Sequence, residues 1–95
     1  VDYKIRLSGE AIENLVEITA RIALDSPDRA KAFGNKLLDR LEILRRFPEI
    51  GSVYTLEPPR RKLVSSPYLI VYRLDQKAKM VEIITFLHAG RLRRS

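Results

Sequence analysis

The chain has 95 residues, with 18 Lys/Arg against 12 Asp/Glu for a net charge of +6, one histidine and no cysteine. That length holds one domain with a modest core, and the missing cysteines exclude a disulfide framework and a thiolate metal site, so no metal or cofactor is expected. No apolar run is long enough to span a bilayer and no signal-peptide pattern begins at Val1, so a cytoplasmic protein is expected, and its basic balance calls for an acidic partner.

Tyr3 to Leu7 alternates apolar and polar residues, the pattern of a half-buried strand. Ser8 is placed to cap the next segment, a helix, and Glu10 suits its first turn. Ile12, Leu15, Val16, Thr19, Ile22 and Ala23 recur at helical spacing and predict the buried stripe, leaving Glu13, Asn14, Glu17 and Arg21 outside it. Asp25-Ser26-Pro27-Asp28 ends this helix and starts a second, with Ser26 as cap and Pro27 at the first helical position. Ala30, Phe33, Leu37, Leu41 and Leu44 mark the apolar face of the second helix, which Pro48 and Gly51 end. So short a joint predicts an antiparallel helical hairpin.

Residues 48–59 read as a connecting loop, with Pro58-Pro59 extended. Arg60 to Ser65, Tyr68 to Leu74 and Met80 to Leu87 are rich in β-branched and aromatic residues and are separated by short turns. They predict a three-stranded antiparallel meander. The expected fold is α+β: an N-terminal strand, the helical hairpin, then the meander. Both faces of the last two strands are largely apolar, which predicts that both are covered. The hairpin covers one; the loop at 48–59 or a second protein is expected on the other, and a partner chain is favoured.

The positive excess lies late in the sequence. From Arg60 onward there are nine Lys/Arg against Asp75 and Glu82 alone, whereas the preceding residues are nearly balanced. The candidate binding residues are therefore Arg60, Arg61, Lys62, Arg73, His88 and Arg91. Alternation prevents Arg60, Arg61 and Lys62 from all facing one way. Arg73 has two readings of equal weight, a target contact or a cross-strand pair with Glu82. His88 has a side chain suited to acid–base work near neutral pH, but no carboxylate lies near it in sequence, and a strand-end histidine bonded to backbone is preferred. Tyr68 and Tyr72 are read as core tyrosines with satisfied hydroxyls.

The order of elements, with Leu44…Phe47-Pro48…Gly51, the basic Arg61-Lys62-Leu63, the pair Tyr68…Tyr72-Arg73 and the ending His88-Ala89-Gly90-Arg91, resembles the RelE/ParE superfamily of bacterial toxins. The resemblance implies a toxin neutralised by a cognate antitoxin, in a hetero-oligomer. Some members cleave mRNA in the ribosome; the ParE-like branch inhibits DNA gyrase. Arg60 and Lys62 match basic positions of the nucleases. Two further nuclease arginines align with Leu69 and Ala89, and the tail to Ser95 has no tyrosine. The ending resembles the ParE-like branch, which implies gyrase binding with no catalytic residue. The alternatives are a ribosome-dependent mRNA endonuclease using Lys62, Arg73, His88 and Arg91, and an inactive binding module.

Overall fold

The computed structural model describes residues 2–90. Strand β1 (Lys4–Leu7) leads directly into helix α1 (Gly9–Asp25), which is succeeded by α2 (Pro27–Arg46) and by strands β2 (Ser52–Thr55), β3 (Arg60–Ser65), β4 (Tyr68–Asp75) and β5 (Met80–His88). The strands form one sheet in the order β1-β5-β4-β3-β2. β2 to β5 are antiparallel neighbours, while β1 runs parallel to β5, with Ile5 beside Val81 and Leu7 beside Ile83. The expected α+β fold is borne out. The sheet is larger than the predicted meander because the stretch read as a loop contains β2, which pairs along β3. Four residues ending at a proline-rich turn carry too little periodicity to announce a strand.

Ser8 joins the first strand to the first helix. Its hydroxyl accepts from Ala11 N–H (3.0 Å) and donates to Ile84 C=O (2.7 Å), and its own N–H donates to Ile83 C=O (2.9 Å). One residue thus caps α1 and fastens it to β5. Beyond this point β1 has ended and the edge of β5 is open. Asn14 closes it: its Oδ1 accepts from Phe86 N–H (3.0 Å) and from Thr85 Oγ1 (2.8 Å). Asn14 was expected outside the buried stripe; it is half-buried because it stands in for the missing strand.

The buried face of α1 is correspondingly rotated from the expected stripe. Ala11 and Ile18 are buried and Leu15 and Ile22 pack on the core, while Ile12 and Val16 are exposed. Small Ala11 and polar Asn14 do not read as core positions by apolarity, yet the seam with β5 requires both. On α2 the expected face holds: Leu37 and Leu44 are buried, and Phe33 and Leu41 pack beside them. Ser26 ends α1, accepts from Arg29 N–H at the start of α2 (3.2 Å), and so sets the hairpin joint. The hairpin covers the sheet face formed by Tyr68, Ile70 and Tyr72 of β4 and Val81, Ile83 and Phe86 of β5.

Tyr72, fully buried, sets the path of the chain after α2. Its hydroxyl donates to Pro48 C=O (2.8 Å) and accepts from Gly51 N–H (2.9 Å). Arg61, its partner across β3 and β4, donates through Nη1 to Gly51 C=O (2.7 Å) and Glu49 C=O (3.2 Å). Together they satisfy four backbone groups of the turn that launches β2. A Cβ at Gly51 would lie 2.5 Å from the Tyr72 hydroxyl, so the close approach needs glycine there.

Replacing Tyr72 by Phe strands the Pro48 carbonyl and the Gly51 amide, and a loss of about 1–3 kcal/mol is expected in urea denaturation. Burial raises the Tyr72 pKa above its ordinary value of 10.0, an effect partly offset by the Gly51 hydrogen bond and the Arg61 charge. The folded state holds this proton more tightly than the unfolded chain. Its contribution is therefore complete below pH 10.0 and is lost as pH rises through the folded-state value. The alkaline decline in stability should be shallower in Tyr72→Phe than in the parent.

Candidate functional site

The sheet has a second face, and no described helix packs against it. Strand alternation and register arrange its side chains in three rows. The first is apolar: Val64, Leu69 and Leu87 lie side by side across β3, β4 and β5. The second runs Lys62, Val71 and Thr85, with Ser52 of β2 beyond Lys62. The third is charged: Arg73 of β4, Glu82 of β5 and Arg6 of β1. Of the two covers considered for this face, the 48–59 segment instead contributes β2, which extends the sheet sideways along β3. Leu69 and Val71 are nevertheless buried, outside the cluster that includes the helices. Val64 remains half exposed. Less bare apolar surface is therefore left on this face than the number of apolar side chains implies.

In the charged row Arg73 Nε lies 2.6 Å from Glu82 Oε1, and Arg6 Nε lies 3.9 Å from Glu82 Oε2. Of the two readings of Arg73, the cross-strand pair is present. One carboxylate faces two guanidiniums, so the row keeps a net positive charge. Arg73 is about two-fifths exposed, so water screens the pair and its contribution is modest.

The basic residues of β3 divide as alternation requires. Lys62 is on the open face, with Nζ 6.0 Å from the centre of the Tyr54 ring. Arg61 points the other way and is occupied by the turn before β2. Arg60, at the start of β3, donates to Pro59 C=O (3.4 Å). Arg60, Arg61 and Arg73 nonetheless border one hollow of about 180 Å³, with Val53, Leu56 and Leu74 among its walls. Arg61 is spent on the turn and Arg73 is shared with Glu82, so Arg60 is the least engaged of the three, and a cation beside these apolar walls can hold a carboxylate next to an apolar group.

His88 is elsewhere. It pairs with Tyr68 at the opposite end of β4 from Arg73, and its ring meets the Tyr68 ring edge-on at 5.3 Å. Its Nδ1 accepts from Gly90 N–H (3.2 Å), the strand-end arrangement expected. A cleft of about 100 Å³ links it to Asn14, Glu17 and Arg21 of α1. Glu17 and Arg21 thus border the same cleft as His88, which only the helix-to-sheet packing could have revealed. The structure therefore gathers Arg60, Arg61, Lys62 and Arg73 at the β2–β3–β4 corner and keeps His88 apart from them. Arg91 lies outside the described residues. Among the described residues no group of three His, Cys, Asp or Glu is placed to hold a metal ion, and no helix is long and apolar enough to cross a membrane.

The family model for the ParE toxin of type II toxin–antitoxin systems, parDE, matches residues 5–93. The chain belongs to this family. It is 31% identical over 87 residues to "Putative toxin Y4kP" of Sinorhizobium fredii, covering 90% of this chain and 88% of that protein. Among solved structures it resembles a chain of the chromosomal ParDE system of P. aeruginosa, with a TM-score of 0.73 and 17% identity over 90% of this chain and 95% of that one. It also resembles a chain of the RelBE2 toxin–antitoxin complex of Mycobacterium tuberculosis, with a TM-score of 0.61 and 24% identity over 93% and 99% of the two chains. A chain of the archaeal RelE–RelB complex of Pyrococcus horikoshii gives 0.67 and 20% over 96% and 99%. These three likenesses establish a shared fold. The chain is thus a ParE-family toxin with the RelE/ParE fold.

A double-mutant cycle of Arg73→Ala and Glu82→Ala, read by urea denaturation, should give a coupling of about 0.2–1 kcal/mol that shrinks with added salt.

Proposed function

We propose that this toxin acts by binding DNA gyrase, with no chemistry of its own, and that a cognate antitoxin neutralises it in a hetero-oligomer. The observation that carries this reading is the separation of His88 from Lys62 and Arg73. Cleavage of RNA through its 2′-hydroxyl needs a base, an acid and cations around one phosphate. Here the imidazole stands at one end of β4 and Lys62 and Arg73 at the other; Arg73 is already engaged by Glu82, and the cation that shares the His88 cleft, Arg21, is paired with Glu17. The cationic corner and the neighbouring apolar row suit a macromolecular surface better than a reacting phosphate. The ParE family membership favours gyrase as the target.

Support for the antitoxin comes from the resembling structures, which belong to toxin–antitoxin systems. Its segment would lay acidic residues against Arg60, Lys62 and Arg73 and apolar ones beside Val64 and Leu87. Capping these cations would also keep the target away.

Purified toxin should inhibit gyrase supercoiling of relaxed plasmid and leave mRNA on translating ribosomes uncut. Position-specific mRNA cuts with supercoiling intact would select the endonuclease reading instead. In cells, His88→Ala should leave growth inhibition unchanged within about twofold, whereas an acid–base role would weaken it by about 100-fold or more.

A further inference from the structure

A slot lies between α2 and the turn joining β3 to β4, away from the cationic corner. It measures about 330 Å³ and is lined by Ile22, Arg29, Ala32, Phe33, Lys36, Ser66, Pro67 and Tyr68. Arg29, Phe33 and Lys36 recur at helical spacing along one side of α2, so an aromatic ring sits between two cations. Phe33 meets Tyr68 edge to face at 5.6 Å. Lys36 Nζ donates to Ser66 C=O at 3.4 Å and so joins α2 to the β3–β4 turn. No acidic side chain lines the slot, and neither Arg29 nor Lys36 has a salt-bridge partner among the described residues.

We infer that this slot is a docking site for an acidic segment of a partner protein, which inserts one apolar side chain between carboxylates that meet Arg29 and Lys36. At about 330 Å³ the slot is at the small end of ligand pockets and has room for one large apolar side chain with its adjoining backbone. The apolar walls, Ile22, Ala32, Phe33 and Pro67, provide the burial that makes such a side chain an anchor. The two exposed cations provide orientation and an attraction that salt weakens. A nucleotide fits less well, since Ile22, Ala32 and Pro67 offer no hydrogen bonds to a base edge. The inference stands apart from the choice of gyrase as target, because it rests on a different surface.

The test uses a fluorescein-labelled short peptide with one leucine between glutamates, titrated against the whole toxin by fluorescence anisotropy. Binding should be saturable and should weaken as salt is raised. Arg29→Glu and Lys36→Glu should each weaken it by about tenfold or more. Ala32→Trp, which fills the slot and leaves both cations in place, should abolish it, while Lys4→Glu, on β1, should leave it unchanged. Far-UV circular dichroism confirms that each variant is folded. Absence of peptide binding overturns the inference. So does binding that survives both charge reversals and the plug, and so does stronger binding of a single-stranded oligonucleotide that the same variants eliminate.

Discussion

The fold turns on one buried hydroxyl. Tyr72 faces the helices from the central strand, so its ring belongs to the core while its oxygen must find partners there. It finds them in the turn after α2, with the Arg61 guanidinium beside it. The bonds decide where the chain goes on leaving the hairpin: into β2, along the edge of β3, and not across the sheet. That route leaves the second sheet face uncovered by helices and leaves a hollow bordered by Arg60, Arg61 and Arg73. A residue of the core thereby shapes the surface that the toxin presents.

Much of this was legible in the sequence because periodicity and capping residues are local signals. Ser8, Ser26 and Pro27 mark helix starts that the structure keeps, and the runs from Arg60, Tyr68 and Met80 form strands at nearly the expected bounds. β2 was not legible, because it exists through its pairing with β3 and through a tyrosine far along the chain. The orientation of α1 was misread for a related reason. Asn14 earns its half-buried position through two hydrogen bonds to the edge of β5, a non-local fact that apolarity cannot register.

The candidate site was partly legible. Residue types and alternation identified the cations and showed that Arg60, Arg61 and Lys62 cannot act as one set. Sequence could not tell that Arg61 is consumed by backbone carbonyls, or that Glu82 stands between Arg73 and Arg6. It also could not tell that Glu17 shares a cleft with His88. Positive charge clustered late in the chain is therefore distributed in space: part supports the fold, part is neutralised, and the remainder is offered to a partner.

The parallel pairing of β1 with β5 has a bearing on how this chain folds. Residues 4–7 are far along the chain from their hydrogen-bonding neighbours, residues 80–83. Contacts of such long sequence separation form late, because the chain between them must be closed first. A nascent chain accordingly lacks its complete sheet until residues 80–83 have emerged. The sheet that presents the cationic corner is therefore complete only once β5 has closed against β1.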